Sequence, residues 1–435
     1  MPEQTFLTRL QPHLDRIQQG GALTAFREKS WQRLSELGLP SKSHEAFRYV
    51  PLREFYLSSY NQGEGKRVDK RLFADVILPE CVHSHLVFVD GVFAPELSDI
   101  TGLPLQTVLL PLEDAVCAHG SFLQSHFNRL LKEETDPFAF VNLALHLKGA
   151  FIYLPPKHQA SSPLQCLHIA TGDEPQVIAP RLHLVLGSQS SMRCVFTTKE
   201  LRAGVPHFIV PATEIFLEDG ASLDVLNFVD TLPAWHFETL RAILKKNARL
   251  NSLCVTSGGK AVRHSYRVQL KGENSEVNLS GLWMLNSNRT AHTHAIVEHE
   301  APHTRSIQRF KGILNDHSQS SFEGKILVRP EAQKTEAYQI NNNLILSKGA
   351  IANSKPNLEI FADDVKASHG ATVSQLDDEQ LFYLNTRGID RDLARRLLIS
   401  GFCREMIGGI PYDSLLRKID LNVETFLAWC QQGSS

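Results

Sequence analysis

A long all-β core between two helical regions is the architecture this sequence predicts, and three observations carry it. Between about residues 149 and 374 helical periodicity all but disappears, and short apolar alternations are punctuated by Gly, Asn, Asp and Ser. Within that span one unit recurs: a leucine, three mostly polar residues, then usually a small residue. It occurs at Leu186/Ser190, Leu217/Ala221, Leu244/Ala248, Leu314/Ser318 and Leu346/Ala350, with a degenerate copy at Leu270. The two flanks instead carry apolar residues at helical spacing. Repeated strand–turn units of this kind point to a β-solenoid, with a β-sandwich as the competing arrangement.

At the head, Phe6, Leu10, Leu14 and Ile17 predict a helix broken at Gly20-Gly21. Leu23, Phe26, Trp31, Leu34 and Leu37 predict a second, stopped by Gly38-Leu39-Pro40. Residues 61–66 read as a polar loop, and residues 85–93 as a hairpin turning at Asp90-Gly91. Helical spacing returns over residues 116–132 and 137–147, where Asp136-Pro137 is a helix start. In the tail, Asp377, Asp390 and Asp413 are each placed to cap a helix. The second of these presents Leu393, Leu397, Leu398, Phe402 and Met406. The expected domains are a mixed helical head (residues 1–148), a β core (149–375) and a helical tail (376–435).

The chain has 435 residues, 42% of them hydrophobic and 21% charged, with a net charge of -2. That balance gives no global field for holding nucleic acid or an anionic membrane. The head has no apolar run of signal-peptide type, and no stretch approaches the ~18 apolar residues of a membrane span, so a cytoplasmic protein is expected. Seven widely spaced cysteines form no CxxC pair, which argues against a disulfide framework and a self-contained zinc or iron–sulfur site.

Familiar catalytic signatures are missing. Ser257-Gly258-Gly259-Lys260 lacks Walker spacing, so no nucleotide is expected on this chain, and no GxSxG elbow offers a nucleophile. Asp363 and Asp364, read as strand residues, would face opposite ways, which weakens a polysaccharide-active enzyme. His292 and His294 would share one strand face, as two metal ligands or as a polar outer face. Residues 356–373 concentrate the most polar chemistry: after the alternation of Leu358, Ile360 and Ala362 come Lys366, Ser368, His369 and Gly370. An imidazole there can ligate iron or carry a proton, and the glycine beside it permits close approach.

Residues 299–388 resemble the SufB/SufD family of iron–sulfur cluster assembly proteins, on the SufD side. The resemblance runs in order through His299, Pro302, Thr304, Ser306, Gln308 and Lys311-Gly312, then Phe322-Glu323-Gly324-Lys325. It continues through Ala332-Gln333-Lys334-Thr335-Glu336-Ala337, Gln339, Asn341 and Asn343, and on to Ser368-His369-Gly370 and Arg387-Gly388. Glu45-Ala46-Phe47-Arg48-Tyr49 is similar to the family's head motif, with Phe47 where tryptophan is usual. The resemblance implies a right-handed parallel β-helix between helical regions. It implies pairing with SufB through that β-helix and with the ABC-type ATPase SufC through the tail, and a noncatalytic scaffold role. It places His369 at the SufB interface as an iron or cluster contact, with Lys366, Ser368 and Gly370 around it. Ala367 stands where a thiol is common among SufD proteins, so the cysteine is expected from SufB. The SufC docking surface falls on Arg395, Leu398, Gly401, Phe402 and Glu405, on helices that could equally cap the solenoid end. A stand-alone homodimeric scaffold or iron carrier is the alternative. Stoichiometry, the iron donor and any flavin on the assembled complex are left open by the sequence.

Overall fold

Two parallel sheets face each other in the computed structural model, which describes residues 2–17, 21–118, 120–230 and 233–432, and the chain alternates between them. The first sheet runs through Ala150–Leu154, Arg181–Leu186, Ala212–Leu217, Trp235–Leu244, Ala261–Leu270, Thr290–His299, Gln319–Val328 and Ile351–Ile360. The second runs through His85–Val89, Leu164–Ala170, Ser191–Glu200, Ser222–Val229, Arg249–Thr256, Glu276–Leu285, Arg305–Leu314, Thr335–Ile345 and Val365–Ser374. Pairing is parallel and in register, so Ser222, Arg249, Glu276, Arg305, Glu336 and Lys366 form one column. The result is a β-solenoid of about eight turns, and no sandwich.

The recurrent leucine unit is the corner between sheets. In all copies but the last its leucine ends a strand and points into the core: Leu186, Leu217, Leu244, Leu270 and Leu314 are fully buried, whereas Leu346 follows its strand and is half-buried. The chain then reverses through one residue at positive φ, as at Gln189 (60°), Asn247 (57°) and Asn274 (58°). The small residue that follows is buried because nothing larger fits inside the bend. Where it is serine its hydroxyl closes the turn: Ser190 Oγ donates to the Gly187 carbonyl at 2.6 Å, and Ser275 to Gly272 and Ser318 to Asn315 at 2.7 Å. The copy at Leu270 is an ordinary corner with one added residue.

Before the leucine units begin, the second sheet already has its first strand at His85–Val89. Its hairpin turns at Asp90 and Gly91 and pairs Phe88 with Phe93. Residues 61–66 are not wholly loop, since Asn61–Gln62 pairs with Gln176–Ile178. Gly20 lies outside the described residues; Gly38 stops its helix at φ 73°.

Helices flank both outer faces. On the first sheet lie α1 (Pro2–Ile17), α2 (Thr24–Leu37), α3 (Leu52–Leu57), α4 (Leu112–Ala118), α5 (Gly120–Glu133) and α6 (Pro137–Leu145). Phe55 of α3 and Phe138 of α6 meet Phe208 and Phe237, with ring centroids 4.7 and 4.6 Å apart. Beneath these helices charged groups are paired: Arg241 with Glu134 at 2.7 Å, Arg181 with Glu214 at 2.9 Å, Arg263 with Asp136 at 2.5 Å. The tail forms α7 (Asp378–Thr386), α8 (Arg391–Ile407) and α9 (Asp413–Gln432). Asp377 and Asp390 cap as expected, whereas Asp413 is itself the first helical residue.

The tail does not cap the solenoid end. Ile399, Cys403, Ile407, Ile419 and Phe426 pack on Val195, Phe228, Val255, Met284 and Ile313, so α8 and α9 lie along the outer face of the second sheet. The last turn is left open.

Candidate functional site at the open end of the solenoid

Residues 356–373 prove to be two strands and a turn. Ile351–Ile360 closes the first sheet, Val365–Ser374 closes the second, and among the described residues neither has a neighbour on its outer side. Asp363 and Asp364 belong to the turn between them, not to a strand, and the Asp364 N–H donates to Gln333 Oε1 at 2.9 Å. Ten-residue strands with one unpaired edge are a template for another chain.

The turn resets the alternation and decides which way each side chain faces. Ala367 and Val365 belong to a small apolar cluster with Ile326 and Ala337 inside the solenoid. Two residues further on, His369 therefore faces the bore, in register with Gln339. Lys366, Ser368 and Gly370 face outward, and Lys366 Nζ reaches Glu336 Oε1 at 3.3 Å. So the structure separates His369 from the three residues grouped with it in the sequence. All of Lys366, Ser368 and His369 are exposed. A Cβ added at Gly370 would meet nothing within 4 Å, so this chain's own packing does not demand glycine there.

Behind His369 the bore is polar. Gln308, Gln339, Asn341 and Asn343 are buried; Gln339 Nε2 donates to Gln308 Oε1 at 3.0 Å, and Asn343 Nδ2 to Asn341 Oδ1 at 2.8 Å. These four lie within the stretch that resembles the known family, but their shared face becomes visible once the register is known. Deeper, Trp283, Phe310 and Phe322 fill the lumen, Phe310 and Phe322 with centroids 4.9 Å apart. Beyond the rings lies a cluster with no signature in the order of residues, because its members come from separate turns. His264 Nε2 is 3.1 Å from Cys254 Sγ and 3.2 Å from Thr256 Oγ1, and its Nδ1 is 2.8 Å from Glu238 Oε2. Burial opposes charge on this ring, but contacts with Cys254 and Glu238 outweigh it and push His264 up to about 10.

Cys117 is exposed and the other six cysteines are buried. Burial pushes the thiols of Cys81, Cys403 and Cys430 up to about 12, which keeps them protonated. Among the described residues no three His, Cys, Asp or Glu side chains are arranged to hold a metal. His292 and His294 share a strand face, as expected, but that face is covered by residues 45–49, and His292 Nδ1 is 2.7 Å from Ser321 Oγ. One imidazole can offer iron a nitrogen ligand, but by itself it is an incomplete set.

These packed histidines make stability fall in acid. Burial pushes His292, His294 and His299 down to about 3, against about 6.5 for an unfolded chain. Between those values the unfolded state binds the extra proton, so stability is complete above 6.5 and lost as pH falls. The loss is about 1.4 kcal/mol per pH unit for each ring. Denaturant midpoints measured from pH 7 to pH 4.5 should drop steeply, and His292→Gln should flatten the slope.

On the tail, Phe402 and Glu405 are engaged within the chain: the Lys311 ammonium lies 4.2 Å from the Phe402 ring centroid and pairs with Glu405. Arg395 and Leu398 are half-buried and Gly401 is exposed. Leu393 and Leu397, read from the sequence as part of the apolar face of α8, are instead 46% and 47% exposed, and Phe382 is 70% exposed.

Comparison with known proteins places matches along most of the chain. A family model described as the SufBD protein N-terminal region matches residues 3–166, and one for the SufBD core domain of SUF-system FeS cluster assembly matches residues 168–402. The iron–sulfur cluster assembly protein SufD of Escherichia coli is 30% identical over 397 residues, covering 89% of each chain. An iron–sulfur cluster assembly SufBD family protein of Synechocystis is 30% identical over 391 residues, covering 88% of this chain and 86% of its own. One from Mycobacterium leprae is 35% identical over 231 residues, 51% of this chain and 59% of its own.

Proposed function

The chain belongs to the SufBD family of iron–sulfur cluster assembly proteins and is SufD-like, and from that premise we propose that it is a noncatalytic scaffold subunit which joins SufB edge to edge. The observation that carries this reading is the open last turn: two unpaired ten-residue strands with His369 at the mouth of the bore. Main-chain pairing along those edges would join the two solenoids and supply the ligands that His369 lacks. Iron or a nascent cluster is then a substrate held between two chains.

The tail is the second contact. Exposed Phe382, Leu393 and Leu397 with half-buried Leu398 and Arg395 form the face offered to SufC. Glu405 and Phe402 tie that face to the second sheet through Lys311. ATP-driven movement of SufC would pull on α8 and α9, and the helices, packed along six strands of one sheet, would carry the strain toward the shared edge. Among the described residues no helix is long and apolar enough to cross a membrane; we place this work in the cytoplasm.

His369→Ala tests the site. In a complex of this chain with SufB and SufC, cluster formation should fall at least about tenfold, since losing even an outer-shell partner of a metal ligand costs about that much, while the subunits still co-purify. Unchanged cluster yield from a normally assembled complex would remove His369 from the reaction.

A further inference from the structure

The polar bore behind His369 has a direction. Gln308, Gln339 and His369 occupy equivalent bore-facing positions on three successive strands of the second sheet. Gln308 is fully buried and Gln339 is 2% exposed. In a parallel, in-register stack each amide can donate to the amide on one side and accept from the other, so the stack has a uniform polarity. Here Gln339 Nε2 donates to Gln308 Oε1 at 3.0 Å. That leaves two buried polar atoms without a partner, Gln308 Nε2 and Gln339 Oε1, the two ends of the ladder. The first end is directed into the core. The second, an acceptor, belongs to the turn directly beneath His369. Gly324 on the facing sheet makes the room for this amide, since a Cβ there would come within 2.1 Å of Gln339 Nε2. A buried acceptor with no donor costs about 1–3 kcal/mol unless something satisfies it.

We infer that Gln339 is a positioning residue for His369: its Oε1 accepts the ring N–H that faces the bore and fixes the imidazole tautomer. The other ring nitrogen then carries its lone pair outward, toward the partner edge, as a metal-binding imidazole requires. This rests on reading His369 as the iron or cluster contact, but both partners of the inferred hydrogen bond lie in this chain, so it can be tested without any metal.

The test is nitrogen-15 NMR on the full chain labelled at histidine, with the His369 signal identified by its loss in His369→Gln. In the unaltered chain one tautomer should dominate. Gln339→Leu, similar in size and lacking the acceptor, should return the ring to the mixed tautomers of free imidazole. Gln339→Glu, which keeps an oxygen at that place, should retain the single tautomer. Identical His369 signals in the unaltered chain and in folded Gln339→Leu would overturn the inference, as would a mixed ring in the unaltered chain. In the complex with SufB and SufC, Gln339→Leu should also weaken ferrous-iron binding about ten- to hundredfold. A changed tautomer with unchanged iron binding would uphold the positioning and refute the reading of His369 as an iron contact.

Discussion

Arg263→Ala should destabilise the chain by about 3–5 kcal/mol, the cost of stranding a buried charge. Arg263 lies on the outer face of the first sheet, 2% exposed at its side chain, with Nη1 2.5 Å from Asp136 Oδ2 and its guanidinium 4.0 Å from the Phe47 ring centroid. Asp136 is also the cap of α6, accepting the Phe138 N–H at 3.0 Å. Burial alone would protonate that carboxylate; Arg263 and Arg241 overcome it and hold its pKa well below the usual range. Removing Arg263 therefore strands a buried anion and empties the space over Phe47 at once. The control is Arg263→Met with Asp136→Asn, which removes both charges but keeps a side-chain cap and most of the volume. That pair should recover most of the loss, because a buried ion pair contributes little beyond what similar apolar volume supplies. Denaturant midpoints of the two variants against the unaltered chain decide it: equal losses in single and double variants would refute the electrostatic account.

The second large effect is expected at the free edge. Adjacent N–H groups along a strand point in opposite directions, so of Gly370→Pro and Ala371→Pro one removes a donor to Thr335–Ile345 and the other a donor facing the open side. The first should destabilise the last turn. The second should leave the fold almost untouched, since proline is tolerated where an edge N–H faces solvent, yet it takes a hydrogen bond and adds a ring where SufB would pair. At about 3 kcal/mol for proline placed inside a hydrogen-bonded element, SufB binding should weaken by roughly a hundredfold. A fold-neutral proline that leaves SufB affinity intact would mean the interface lies elsewhere.

What could be read from the sequence was local. The corners were legible because a small, buried residue recurs at short range after each leucine, and all but the last corner also carry a positive-φ residue, while Asp136, Asp377 and Asp390 announced their helices by cap chemistry. The position of His369 was legible through its ordered neighbours. Its direction was not: a four-residue turn at residues 361–364 resets the strand phase, so Lys366, Ser368 and Gly370 appeared to share its surroundings although they face the other way. Contacts across turns left no sequence signal. Gln308 and Gln339 meet because two strands are in register, and Glu238, Cys254 and His264 because three strands converge on one level of the bore. The tail's placement was equally hidden, since an amphipathic helix does not say whether it covers a sheet's face or its end.

Co-expression with SufB and SufC, followed by size-exclusion chromatography against the chain expressed alone, tests the shared-edge account most directly. The account predicts a single assembly containing all three proteins, lost for the fold-neutral edge proline. A stable homodimer that passes both partners by would contradict it.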